Sequence, residues 1–209
     1  MTPTTAEAPR LGRKRDHTRD ADILDAALAV LAETGYDGMT IDMVAARAKA
    51  GKATLYRRWP SKAELVIDAV ACLKQTDLDA ATIPDTGSLR GDLVAMIKTP
   101  TIEEGERKLR VMAGLASMIS RSPELADAAR DAIVAPRIAL NRMFLQRAVD
   151  RGEIPADADL DLVATIAPAM VSYRALMLGI PATREFMIAL IDDVILPAVG
   201  LTGPSPDAS

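Results

Sequence analysis

From Ile23 the apolar positions fall three and four apart: Ile23, Leu24, Ala27, Leu28, Val30 and Leu31. That is the period of a helix, and it predicts a first helix over about 19–34. Asp20, Asp22 and Asp25 sit near its start, where the helix dipole favours anions, and Gly35 stands where a helix stops. Ile41, Val44, Ala45 and Ala48 share one face of a short second helix, about 41–48, with Thr40 as cap and Asp42 in the first turn. "KAG" is a tight turn, a third helix follows over about 52–58, and Pro60 stops it. Ser61 and Glu64 form a capping box that starts a fourth helix carrying Leu65, Val66, Ala69 and Val70. Two short helices joined by a short turn and packed on longer ones make a helix-turn-helix. Leu55 and Trp59, four apart, point inward, which leaves Lys52, Ala53, Tyr56 and Arg57 facing out.

Beyond this unit the pattern stays helical. "TDLDAATIPDTGS" (76–88) reads as a linker, and helices are expected near 88–98, 102–120, 123–150, 157–179 and 182–199. Pro136 should kink or divide the third of these, and Pro168 and Pro197 should act locally in the same way. "LDLVATIAPAMVSYRALML" is apolar nearly all round, so it is expected to be buried on more than one side. "REFMIALIDDVILPAV" is similar. The fold class is therefore all-α: an N-terminal helix-turn-helix unit and a larger C-terminal helical body.

Composition narrows the chemistry. Of 209 residues, 49% are apolar, 26% charged and 3% aromatic, which suits a globular helical protein. A lone Cys72 and a lone His17 exclude an internal disulfide, a cysteine-rich or multi-histidine metal site and a histidine-based triad, and no cofactor motif appears. The start has no signal-peptide core, and the uncharged run Leu162–Tyr173 is too short to span a bilayer, so no membrane and a cytoplasmic location are expected. The net charge of −4 conceals an asymmetry. Residues 1–62 carry eleven Lys/Arg against eight Asp/Glu, and the remainder fourteen against twenty-one. A cationic third on an acidic body points to a polyanion as partner of the first part alone. Residues 1–18, with Arg10, Arg13, Lys14 and Arg15, read as a flexible basic arm, either a solvated tail or one that lies along a DNA groove. Residues 19–66 are expected to form the helix-turn-helix domain and 67–209 a helical body. Two other classes compete: an all-helical enzyme, for which no motif appears, and a helical protein-interaction module whose cationic face is merely solvated.

The stretch "ILDAALAVLAETGYDGMTIDMVAARAKAGKATLYRRWPSKAELV", Ile23 to Val66, resembles the TetR family of bacterial transcriptional regulators. Helix one ending in Gly-Tyr, the Thr-Ile start of helix two, "TLYRRWPSK" and the start of helix four come in order and at the right spacing. Three residues depart from the family pattern: Lys49 stands where glycine is usual in the turn, Gly51 where serine usually caps, and Ala53 where glycine is common. The resemblance implies a homodimer on a palindromic operator in double-stranded DNA, released by a small-molecule effector. It implies phosphate contacts from Thr40, Tyr56 and Lys62, and base-edge or groove contacts from Lys52, Ala53, Thr54 and Arg57. Lys62 is electrostatically misplaced in the first turn of its own helix, which hints at an external anion. Two half-sites also demand a dimer on physical grounds, expected through the last two helices, about 157–199, paired with their symmetry mates. Methionines and aromatics of the body can line an adaptable pocket, here Met112, Met143, Phe144, Met170, Tyr173 and Met177, or can simply fill core. A ligand in the body would then move helix four against the dimer interface.

Overall fold

A computed structural model describes residues 17–75, 83–98, 101–121 and 123–203. Among them there is no strand. The basic arm expected at 1–18 lies outside the described residues except for its last two, which open the first helix.

The N-terminal unit follows the polarity pattern closely. α1 (His17–Gly38) breaks at Gly35, whose φ of 67° is open to glycine at little cost, so the regular helix ends where the sequence places its stop. α2 (Ile41–Arg47) begins at Thr40, whose hydroxyl accepts the Met43 N–H. α3 (Lys52–Arg58) and α4 (Lys62–Gln75) follow. Ser61 Oγ accepts the Glu64 N–H at 3.1 Å and donates to Glu64 Oε1 at 3.0 Å, so serine and glutamate hold each other at the start of α4.

The body comprises α5 (Leu89–Ala95), α6 (Ile102–Ile119), α7 (Pro123–Ala129), α8 (Ala135–Asp150), α9 (Leu160–Tyr173), α10 (Arg184–Leu190) and α11 (Leu196–Ala198). Wider π-helical turns interrupt it at Arg130–Val134, Arg174–Leu178 and Ile191–Ile195. Two of these end two residues before a proline, Pro136 and Pro197. A proline denies its N–H to the carbonyl four residues back and crowds it with its ring. A five-residue repeat just upstream gives the carbonyls there another pairing. The division expected at Pro136 thus takes the form of a π turn. Pro168 behaves differently, and α9 runs through it.

Two cores result. The first joins α1–α4 to Val111, Leu115 and Met118 of α6, to Ala129 and to Ile133. It therefore runs past residue 66 into the body. Gly114 lets α6 approach α1, because a Cβ there would stand 2.6 Å from Leu31 Cδ1. The second core collects α5 and α8–α11 around Phe144, Leu145, Ala148 and Leu196. Asp92, wholly buried, fixes the entry to α5: it accepts from the Thr86 N–H at 2.6 Å and the Thr86 hydroxyl at 2.8 Å, and pairs with Arg151.

Leu160–Leu178 is one continuous helical run, long and apolar enough to span a bilayer by length and composition. It exceeds the uncharged run read from the sequence because the helix continues through Asp161 and Arg174. Its sides are unlike. Val163 and Ala164 face the core, while Leu162, Met170, Tyr173 and Met177 are exposed.

Candidate nucleic-acid interface and body cavity

α3 is anchored by its apolar side. Leu55 is fully buried, and Trp59, at the end of the helix, is buried with its indole N–H donating to Asp68 of α4 at 2.8 Å. Arg58 pairs with Asp20 at the start of α1 and so braces the same helix from the other side. On the opposite flank Lys52 and Tyr56 form one i,i+4 row and Ala53 and Arg57 the next, all exposed, with Thr54 half-buried beside them. Tyr56 is 52% exposed. Arg57 makes no ion pair among the described residues. Two rows of this kind offer a point charge, a phenol, a guanidinium and a flat alanine surface side by side, which is the chemistry that phosphates and base edges require.

Three features of this surface are not evident from spacing alone. Lys52 is already paired, with Asp42 of α2. Arg47 forms a two-pronged pair with Glu33 of α1 at 2.6 and 2.7 Å, which holds the Glu33 carboxyl below its ordinary pKa. Lys62 donates to the carbonyls of Tyr36 at 2.7 Å and Met39 at 3.0 Å, and its ammonium lies 4.3 Å from the centre of the Tyr36 ring. Its unfavourable place in α4 therefore has an internal reason: it closes the carbonyl-rich end of α1. Burial raises the pKa of the Tyr36 phenol beneath it. One of the three ammonium hydrogens is left for another acceptor.

The two unusual turn residues behave as their chemistry dictates. Lys49 has φ +50°, the left-handed conformation that glycine adopts freely. Gly51 caps α3 with no side-chain hydrogen bond.

The body encloses a cavity of about 460 Å³ between α5, α6, α8, α9 and α10. Of the six pocket candidates, Met112 and Phe144 line it. The other four candidates do not. Met143 is half-buried against the second core and borders a separate hollow with Arg142 and Gln146. Met170, Tyr173 and Met177 are exposed, Met177 at 71%. The reason is geometric. α9 and the turn after it line the cavity mostly with small residues, among them Ala164, Ala167, Pro168, Ser172 and Ala175 beside Val163 and Val171, and this leaves the space. Large side chains make contacts, whereas a void is left where the lining side chains are small. Met112 and Ile133 belong both to the cavity wall and to the first core, so the cavity and the reading unit share packed residues.

Comparison with known proteins bears on both regions. Residues 23–69 match the family described as bacterial regulatory proteins, tetR family, and residues 83–194 match the tetracyclin repressor-like C-terminal domain. An uncharacterized HTH-type transcriptional regulator of Mycobacterium tuberculosis is 41% identical over 87% of this chain and 88% of its own. The DNA-binding transcriptional repressor TetR of Mycobacteroides abscessus is 37% identical over 87% of this chain and 94% of its own. The solved TetR family transcription regulator SCO0332 shares 28% identity at a TM-score of 0.64, over 85% of this chain and 96% of that one. A TetR-family regulator from Rhodococcus sp. reaches 0.71 at 19% identity, over 86% and 99%, a likeness of fold alone. Regulators of this kind bind DNA as dimers and respond to small molecules, are typically repressors, and are generally not enzymes. The chain belongs to the TetR family of bacterial HTH transcriptional regulators.

Proposed function

We propose that the chain is a cytoplasmic repressor that binds a palindromic operator as a homodimer and leaves it when a small molecule fills the body cavity. The observation that carries this reading is the outward cationic flank of α3 on a helix whose other side is locked by Leu55 and Trp59. Lys52, Ala53, Thr54 and Arg57 meet the groove. Tyr56, Thr40 through its hydroxyl hydrogen, and Lys62 through its remaining N–H meet phosphates. The exposed apolar side of α9 and its π turn, together with Val194, meets the same surface of a second copy. α10 and its extension contribute less than the sequence suggests, because Leu190, Ile191, Ile195 and Leu196 are spent on the second core.

Met112 and Ile133 give a ligand its route to the reader. A molecule that displaces them shifts α6 and the turn at 130–134, which pack on α1 and α4. Only a difference in affinity for the two arrangements is needed.

A gel shift on the chain's own promoter region, at several salt concentrations, tests the reading. Binding should weaken with salt at a slope of about −0.9 per phosphate contact. Arg57→Ala should cost about 1–3 kcal/mol and relax sequence choice at one position of each half-site. No binding to duplex DNA at any salt would leave the protein-interaction module as the better account.

A further inference from the structure

We infer that the cavity takes a neutral molecule, an apolar skeleton that carries a hydroxyl, and that Asn141 is the residue that recognises the hydroxyl. The inference rests on the reading of the cavity as the effector site and names the chemistry of its occupant.

Asn141 stands on the core side of α8, with Ile138, Phe144 and Leu145 around it at helical spacing, and is only 9% exposed. An amide in such a place is costly unless its groups find hydrogen bonds. One of them has a structural duty. Pro168 has no N–H, so the carbonyl four residues back, that of Ala164, loses its helical partner inside α9. Ala164 is buried. Asn141 Nδ2 takes the place of the missing donor and reaches the Ala164 carbonyl at 2.9 Å.

That contact fixes the amide. Reversed, it would set two carbonyl oxygens against each other, so Oδ1 must point away from the Ala164 carbonyl. Oδ1 and the second N–H have no partner among the described residues. Asn141, Ala164 and Pro168 all line the cavity. At this point the wall therefore offers one acceptor beside one donor, both uncharged. Thr165, close by on α9, turns its hydroxyl back to the Leu162 carbonyl at 2.6 Å.

Charge does not select the occupant. Lys98, Lys108 and Arg137 reach the wall, but each already has a partner, and no aspartate or glutamate is among the lining residues. An anion would meet the Asn141 oxygen and would have to draw a cation from its partner. A cation would find no carboxylate. Either would lose its hydration for little return. An ether or a ketone accepts the second N–H and leaves Oδ1 with neither water nor partner. A hydroxyl satisfies both, since its hydrogen goes to Oδ1 while its oxygen accepts the N–H. A site built on a buried acceptor rejects the analogue that lacks the donor. At about 30 Å³ for each non-hydrogen atom in a condensed liquid, 460 Å³ holds roughly fifteen, which sets the size of the skeleton.

The test is isothermal titration of the full-length chain with dodecan-1-ol and 4-octylphenol, the methyl ether of each, dodecanoate and dodecylammonium, all below their solubility and micelle limits. At least one hydroxyl probe should bind about tenfold or more tightly than its methyl ether and than both ions. Asn141→Leu alone would leave the Ala164 carbonyl unpaired, so it is combined with Pro168→Ala, which returns an N–H to that carbonyl. The double variant should fold, as read by circular dichroism, bind the ethers as the native chain does and lose the preference for the hydroxyl. Should it fail to fold, the native chain's choice between hydroxyl and ether decides by itself. Ala175→Trp, which fills the cavity, should abolish binding of every probe. The inference is overturned if no probe binds, if the ethers or the ions bind the native chain as tightly as the hydroxyl probes, if the folded double variant keeps the preference, or if Ala175→Trp binds undiminished. A hydroxyl probe that binds as expected and leaves operator affinity unchanged would overturn the effector-site reading while the chemistry of the cavity stands.

Discussion

At the scale of single residues, the reading surface contains its own competitor. Asp42 pairs with Lys52 and places a negative charge beside the flank of α3 proposed to face the groove. Both side chains are more than half exposed, so the pair itself adds little to stability. Its larger effect is on DNA, which must take the lysine from the carboxylate and accept the carboxylate's repulsion. Asp42→Asn should therefore tighten operator binding severalfold and steepen the salt slope by about one phosphate contact. Weaker binding by a folded Asp42→Asn protein would show instead that the pair positions Lys52. Lys49 presents a second conflict. The left-handed conformation costs an L residue about 1–2 kcal/mol, and glycine returns about 0.5–1 kcal/mol of that through its chain entropy. Lys49→Gly should accordingly stabilise the protein by about 0.5–1 kcal/mol, read as a rise of a few degrees in Tm. If operator affinity falls in the same variant, the strained lysine is retained for DNA.

At the scale of elements, legibility divided along physical lines. α1 to α4 were readable because each carries its own punctuation: Thr40, Gly35, Pro60 and the Ser61–Glu64 pair fix ends locally, and the apolar period fixes faces. The surface lysines were not readable. Lys62 and Lys52 have partners 26 and 10 residues away, and no local pattern records such a pairing. The body's segments were placed well, but its void was not, since a cavity is created by side chains that are missing. The close approach of α1 and α6 belongs to the same class. Nothing in the period of α6 distinguishes Gly114 from an ordinary small residue, yet Leu31 occupies the space of its absent Cβ. Gly114→Val should force the two helices apart and destabilise by about 1–3 kcal/mol, measured by thermal or urea unfolding. An unchanged Tm would show that Leu31 can move aside.

At the scale of the whole molecule, the exposed side of α9 bears on the proposed dimer through two accounts of an apolar helix. A bilayer would ask for apolar side chains all round, whereas a subunit interface asks for one apolar side and a core on the other. Val163 and Ala164 are buried in the second core while Leu162, Met170, Tyr173 and Met177 stand out, and that division fits the interface. In the proposed dimer, pairing is what gives the reader its strength. One α3 makes few contacts, and two copies one helical turn of DNA apart make the affinity a regulator needs. A charge placed on the α9 surface should act at a distance on DNA. Met177→Glu would be buried unpaired beside its own symmetry mate in the dimer but would sit harmlessly in water in the monomer. The variant should fold with an unchanged circular dichroism spectrum, sediment as a monomer and lose operator binding, although residue 177 lies outside the reading unit. A Met177→Glu protein that remained dimeric and bound the operator normally would move the interface elsewhere and leave the apolar side of α9 to another partner.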